Sequence, residues 1–155
     1  MSNSLISSNL LLKSALSLAE NGFFVLPVKT AKTPYIKNWQ NDASNNPKLI
    51  NEWWNQWPEA GVAIHTGKSK LIVVDVDPRN GGEESFKSLI KAHGADWLSK
   101  YKVKTGGGGT HYYYQAVDNF QYPALLGKGI DLQRGNKYVI APPSLHLSGD
   151  RKSVV

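Results

Sequence analysis

One segment constrains this chain more than any other: Leu71-Ile72-Val73-Val74-Asp75-Val76-Asp77, an apolar run that acquires two carboxylates at its end. Its β-branched residues make 70–77 the clearest strand of the sequence. A strand alternates faces, so Asp75 and Asp77 project to the same side with Cα atoms about 6.5–7 Å apart. Two carboxylates placed there repel each other and need a compensator. A hard divalent ion, Mg2+ or Mn2+, is the natural one, and such ions in turn grip phosphates. A solvated strand end followed by an Asp-Pro turn at Asp77-Pro78 is the other reading, and the segment alone does not choose between them.

Around that strand the periodicity alternates between helix and strand. Residues 9–20 carry Leu12, Ala15, Leu16 and Ala19 at helical spacing, with Gly22 as a stop. Residues 23–28 read as a short strand and 29–46 as a long connection. A second helix is expected from Pro47 to about Trp57, its Leu49, Ile50, Trp53, Trp54 and Trp57 forming an apolar face. Strands follow at 61–65, 101–104, 111–116 and 137–141, and a third helix at 83–93 opens on an acidic turn. The pattern is α+β, a sheet covered by helices.

With 155 residues, one core built from one or two lobes is expected. Leu, Ile, Val and Phe make up 39 of them, a quarter of the chain and above the range in which disorder is the default. There is no Cys, which removes disulfides, thiolate metal sites and a cysteine nucleophile. The start of the chain lacks a basic leader, and no stretch approaches the ~18 apolar residues of a membrane span, so a cytoplasmic protein without membrane contact is expected. The net charge of +6 is lopsided: residues 1–77 carry +1 and residues 78–155 carry +5. A basic second half suits a polyanionic partner, nucleic acid or nucleotide phosphate, although a basic surface also serves solubility. Lys100, Lys102, Lys104, Lys128 and Lys137 are the candidates for phosphate contacts.

Three further clusters bear on chemistry. Gly129-Ile130-Asp131-Leu132 places a third carboxylate in a short apolar segment, and three carboxylates from two strands can hold the two metals of an in-line phosphoryl transfer. Taken singly, Asp131 is also an ordinary turn residue. Thr105-Gly106-Gly107-Gly108-Gly109-Thr110-His111 is a glycine run whose N–H groups are accessible to an anion, but no Gly-Lys-Ser/Thr follows to make it a Walker loop. It also reads as a hairpin tip, and His111 as a structural histidine. Ala141-Pro142-Pro143-Ser144-Leu145-His146 pairs a serine with a histidine, without the Gly-x-Ser-x-Gly elbow of a hydrolase. In Tyr112-Tyr113-Tyr114, alternation puts Tyr113 on the His111 side, as a stacking surface, and its neighbours on the other.

Taken in order, Val74-Asp75-Val76-Asp77, Gly108-Gly109-Thr110-His111, Gly129-Ile130-Asp131 and Ala141-Pro142-Pro143-Ser144-Leu145-His146 resemble the bifunctional DNA primase/polymerase N-terminal (Prim-Pol) domain of the archaeo-eukaryotic primase superfamily. Gly22 to Val28, Lys32-Thr33-Pro34 with Lys37 and Trp39, Trp53-Trp54 and Gly81-Gly82 agree with it, so the resemblance spans about residues 12–149. It implies an N-terminal α/β lobe, here 1–66, packed on a lobe like an RNA-recognition motif, here 67–155. It further implies that Asp75, Asp77 and Asp131 are catalytic and bind two divalent ions, Mg2+ or Mn2+, and that His111 meets the nucleotide phosphates. Arg134 is then a further phosphate ligand, the backbone at Gly108 and Gly109 a cradle, and Ser144 and His146 lining of the same site.

The implied activity is a DNA primase/polymerase: template-directed nucleotidyl transfer from nucleoside triphosphates on a DNA template and primer, in plasmid, phage or mobile-element replication. A helicase domain or protein outside this chain is the implied partner. Two departures stand out. Gly106 and Gly107 occupy positions where the family carries Pro and Ser, and the family domain continues past the Pro-Pro-Ser-x-His segment, so a C-terminally truncated or minimal form is expected. The alternative reading is an inactive nucleotide- or DNA-binding module of the same fold.

Overall fold

Strand Leu71–Val76 lies in the middle of a sheet, as its apolar run on both faces requires. The computed structural model describes residues 2–30, 32–144 and 153–154. In chain order the elements are α1 (Ser2–Glu20), β1 (Val25–Val28), α2 (Trp39–Asp42), α3 (Pro47–Gln56), β2 (Gly61–His65) and β3 (Leu71–Val76). A 3-10 turn at Pro78–Asn80 leads into α4 (Gly82–His93), then β4 (Lys102–Lys104), β5 (Thr110–Gln115), β6 (Leu125–Gly127), β7 (Ile130–Gln133), β8 (Tyr138–Ala141) and β9 (Ser153–Val154). They build two antiparallel sheets, β1-β2-β8 and β6-β7-β3-β5-β4-β9.

Within the larger sheet, β7-β3-β5-β4 with α4 crossing from β3 to β4 is the strand order of an RNA-recognition-motif lobe. The α+β expectation therefore holds. Side chains of β3 divide by parity. Ile72, Val74 and Val76 pack with Ile130 and Leu132 under Phe86 and Leu89 of α4. Leu71 and Val73 face the other way, into a core shared with Leu11 and Ala15 of α1, Ile50, Trp53 and Trp54 of α3, and Val62 and Ile64 of β2. Helix α3 starts where Pro47 sets the first turn and the Asn46 side chain accepts from the Lys48 N–H at 3.0 Å. Among the described residues no helix is long and apolar enough to cross a membrane.

Strand β8 leaves the second half of the chain and pairs with β2, Tyr138 opposite His65 and Ala141 opposite Val62. The first sheet is thus incomplete without residues 138–141. Both passages between the sheets run side by side. The buried Thr66 hydroxyl is 3.0 Å from the carbonyls of Gly135 and Lys137, and the Gly67 N–H donates to Gly135 O at 2.8 Å. A Cβ at Gly67 would lie 2.6 Å from that carbonyl oxygen, so only glycine fits this approach. Helix α2 falls in the segment 29–46 read as connection, and strand β6 where no element is expected, because neither is long enough to show a period.

His65 closes β2 with only 2% of its surface exposed, its ring 5.6 Å from that of Trp39. Its Nδ1 accepts from the Lys68 N–H. Burial, reinforced by the Lys68 charge, holds its pKa below the ordinary 6.5. The unfolded chain therefore binds the proton more readily, so the stability it contributes is intact above about pH 6.5 and is lost as pH falls toward the depressed folded value. The melting temperature is expected to drop on acidification below about pH 6.5, and His65→Gln to flatten that drop. Melting curves of both proteins across this range check it; parallel profiles would show that His65 is not the group responsible.

Candidate active site

Pairing of β3 with both neighbours assembles the site. Asp75 stands opposite His111 on β5 and opposite Asp131 on β7, and His111 stands opposite Val103 on β4. Directly opposed residues of antiparallel strands share a face, so His111, Asp75 and Asp131 form a row across the sheet. His111 is buried at 6% exposure with Nε2 3.3 Å from Asp75 Oδ1, and Gln133 Nε2 is 3.5 Å from Asp75 Oδ2. Asp131 is exposed at the outer end of the row. Opposed like charges destabilise a strand pair, and Asp75 against Asp131 is such a pair.

A cavity of about 510 Å³ opens over the Asp75 and His111 part of this row. One wall carries Asp75, Asp77, Arg79, Thr105, Gly107, Gly109, His111 and Gln133; the other carries Lys32 and Trp39 from the first half of the chain with residues 136–140 leading into β8. Asp131 and Arg134 do not line it. Asp77 combines both sequence readings. It lines the cavity, and its Oδ1 caps the 3-10 turn by accepting from the Arg79 N–H at 3.0 Å while Oδ2 accepts from Asn80 Nδ2 at 2.6 Å. Arg79 Nε lies 3.7 Å from Asp77 Oδ1.

As a donor set, three carboxylates match a hard divalent ion, and the opposed Asp75–Asp131 pair is a place where a cation relieves repulsion. Among the described residues, no three His, Asp or Glu side chains are gathered into a ligand shell.

Of the other expected ligands, Gly109 lines the cavity, while Gly108, Arg134 and Ser144 do not. The glycine run is the tip of the β4–β5 hairpin, and its amides turn inward: Gly109 N–H donates to Thr105 Oγ1 at 2.9 Å and Gly108 N–H to Thr105 O at 3.1 Å. The tight tip requires glycine at Gly109, where a Cβ would meet Val76 O at 2.7 Å. Arg134 follows the end of β7, and its Nε donates to the carbonyls of Tyr122 at 2.7 Å and Pro123 at 3.1 Å. It lines a separate cavity of about 430 Å³ with Lys70 and Phe120. Ser144 is 2% exposed, its hydroxyl accepting from Val62 N–H at 2.9 Å and donating to Val62 O at 3.2 Å, so it fastens the Pro142-Pro143 turn to β2. His146 lies outside the described residues.

The tyrosine run divides as alternation demands. Tyr112 stacks on Phe86 at 5.5 Å, and the Tyr114 hydroxyl donates to Trp97 O, both on the α4 face. Tyr113 shares the His111 face, but its ring packs against the core of α1, α3 and β2 rather than offering a stacking surface. Among the described residues its buried hydroxyl has no hydrogen-bond partner, and desolvation together with the Asp75 charge pushes its pKa up. Of the lysines expected at phosphates, Lys137 lines the cavity, while Lys102 and Lys104 flank Val103 and so project to the face opposite His111. Sequence reasoning gave Arg79 no role, and its place after an Asp-Pro turn carried no signal for one.

Compared with known families, residues 15–155 match the model described as bifunctional DNA primase/polymerase, N-terminal. No curated protein matches the chain.

Two substitutions separate structure from site. Ser144→Ala is expected to lower the unfolding free energy by about 1–3 kcal/mol, since it orphans a buried N–H and carbonyl, and to leave ligand affinity alone; urea titration and ligand titration together check this. Tyr113→Phe removes an unsatisfied buried hydroxyl and is expected to raise stability by about 1 kcal/mol. A destabilised Tyr113→Phe protein would contradict that account of the hydroxyl.

Proposed function

The chain belongs to the Prim-Pol family of bifunctional DNA primase/polymerase N-terminal domains, and from that premise we propose that it is a divalent-metal-dependent nucleotidyltransferase with its active centre in the row His111–Asp75–Asp131. The observation carrying this reading is the register of β3: it sets Asp75 beside the buried imidazole of His111 on the floor of the 510 Å³ cavity and opposite Asp131, which lies outside the cavity lining. The reaction is attack by a 3′-hydroxyl on the α-phosphorus of a nucleoside triphosphate, with pyrophosphate leaving, directed by a DNA template.

Asp75, Asp77 and Asp131 would hold Mg2+ or Mn2+. When bound, such ions lower the pKa of an attacking hydroxyl and neutralise charge on the phosphoryl group in transit. The chain's own side chains supply the rest. His111 is fixed in orientation by burial and by Asp75, so its ring is preorganised rather than recruited at the moment of reaction. Arg79 is exposed at the cavity wall, close enough to Asp77 for its charge to offset that carboxylate while no anion is bound. Gln133 reaches Asp75 Oδ2 and restrains the carboxylate from the other side. Replication of a plasmid, phage or other mobile element is the setting in which such an activity is proposed to serve.

Primer extension with labelled deoxynucleoside triphosphates, run separately with Mg2+ and Mn2+, tests this. The wild-type chain is expected to extend a primed template. Asp75→Asn and Asp131→Asn are each expected to reduce extension by about 100-fold or more. Asp131→Asn should melt at or slightly above the wild-type temperature, because it removes one of two opposed charges. Wild-type rates in either variant would overturn the metal assignment, and nucleotide binding without any extension would favour the binding module.

A further inference from the structure

If the triphosphate lies over Asp75 and His111, cations must meet its far end, yet Arg134 and the glycine-run amides, expected there from the sequence, are committed elsewhere. Arg134 Nε is held by the Tyr122 and Pro123 carbonyls, and the Gly108 and Gly109 amides by Thr105. The cations that line the cavity are Lys32, Arg79 and Lys137. Arg79 stands beside Asp77 on the acidic wall, whereas Lys32 comes from the first half of the chain.

Lys32 is presented by a built turn. Its backbone is left-handed, φ 67°, a conformation that non-glycine residues adopt at a cost and that points to function where surrounding structure enforces it. Three hydrogen bonds enforce it: Lys32 N–H to Lys29 O at 2.8 Å, Lys29 N–H to Thr33 O at 2.8 Å, and the Tyr138 hydroxyl to Lys32 O at 2.6 Å. Tyr138 is fixed in turn, paired with His65 in the smaller sheet and edge-to-face with Trp39 at 4.8 Å. A strand from the far end of the chain thus sets the position of this lysine.

We propose that Lys32 binds the terminal phosphates of the nucleoside triphosphate, and that Tyr138 is its positioning residue. The ligand is then gripped from two sides of the cavity, by Asp75 and Asp77 at one end and at the other by the Lys32 ammonium, carried on a hydrogen-bonded turn. This rests on the nucleotidyltransferase reading above. Opposite signs on opposite walls suit a polyanion that meets the carboxylates through divalent cations and the lysine directly.

Calorimetric titration of the full chain with Mg2+ and dATP, inorganic tripolyphosphate, deoxyadenosine or primed-template DNA tests it. Lys32→Gly removes the ammonium and tolerates the positive φ. It is expected to weaken dATP and tripolyphosphate about tenfold or more, leaving deoxyadenosine and DNA unchanged, with Lys32→Arg restoring most of the loss. Tyr138→Phe keeps the ring, loses the clasp and is expected to weaken the same two ligands by a smaller factor. Wild-type dATP affinity in Lys32→Gly, or a loss confined to DNA or shared equally by deoxyadenosine, would overturn the proposal while leaving the nucleotidyltransferase reading in place. A wild-type chain that binds no dATP would overturn both.

Discussion

Everything at the site depends on the register of one strand. β3 is paired on both sides, and the parity of its residues decides which layer each joins: 72, 74 and 76 go under α4, and 71 and 73 go under α1 and α3. A slip of one residue would bring Asp75 into the α4 core and Val74 and Val76 onto the cavity floor. The apolar half of the strand therefore pins the carboxylate half. The site face opens at Asp75, beyond the part of the strand that the first core covers, and carboxylates appear there because that is where burial stops.

Much of this was legible because it is local. Alternation along 71–77 and along 111–116 puts side chains on the faces observed, Tyr113 on one and Tyr112 and Tyr114 on the other, and helical spacing locates α3 and α4 within a few residues. Residue type also marks Asp75, Asp77, Asp131 and His111 as candidates for chemistry. What local sequence does not contain is which partner satisfies each group. Ser144 looked like a site hydroxyl, but β2 passes close enough for Val62 to take both of its hydrogen bonds. The Gly108 and Gly109 amides looked free for an anion, but Thr105 four positions earlier closes the hairpin on them. Arg134 was judged by its charge, and two backbone carbonyls across a loop decide its place. Lys32 and Arg79 came to the cavity through turns whose position only the tertiary fold defines.

Asp77 shows that the bland reading and the functional reading of a residue are not alternatives. As a cap it terminates β3 and launches the turn into α4, and as a carboxylate it faces the cavity. Its rigidity comes from the first role and its position from the second. Arg79, whose N–H the carboxylate accepts, arrives at the same wall by the same turn. A short Asp-Pro motif thereby orders an acid and a base together.

The return of β8 to the smaller sheet has a consequence for how such a chain comes into being. While the polypeptide is emerging from the ribosome, β2 has β1 on one edge and nothing on the other until Tyr138 to Ala141 have been synthesised. Pairings between segments so distant in sequence are closed late, against the entropy of a long loop. The smaller sheet is therefore completed only after most strands of the larger one have been synthesised. The cavity lies on that seam, between Lys32 and Trp39 from early in the chain and β8 from late in it. The row of His111, Asp75 and Asp131 is complete once β7 has been made, whereas the opposite side of the cavity awaits β8.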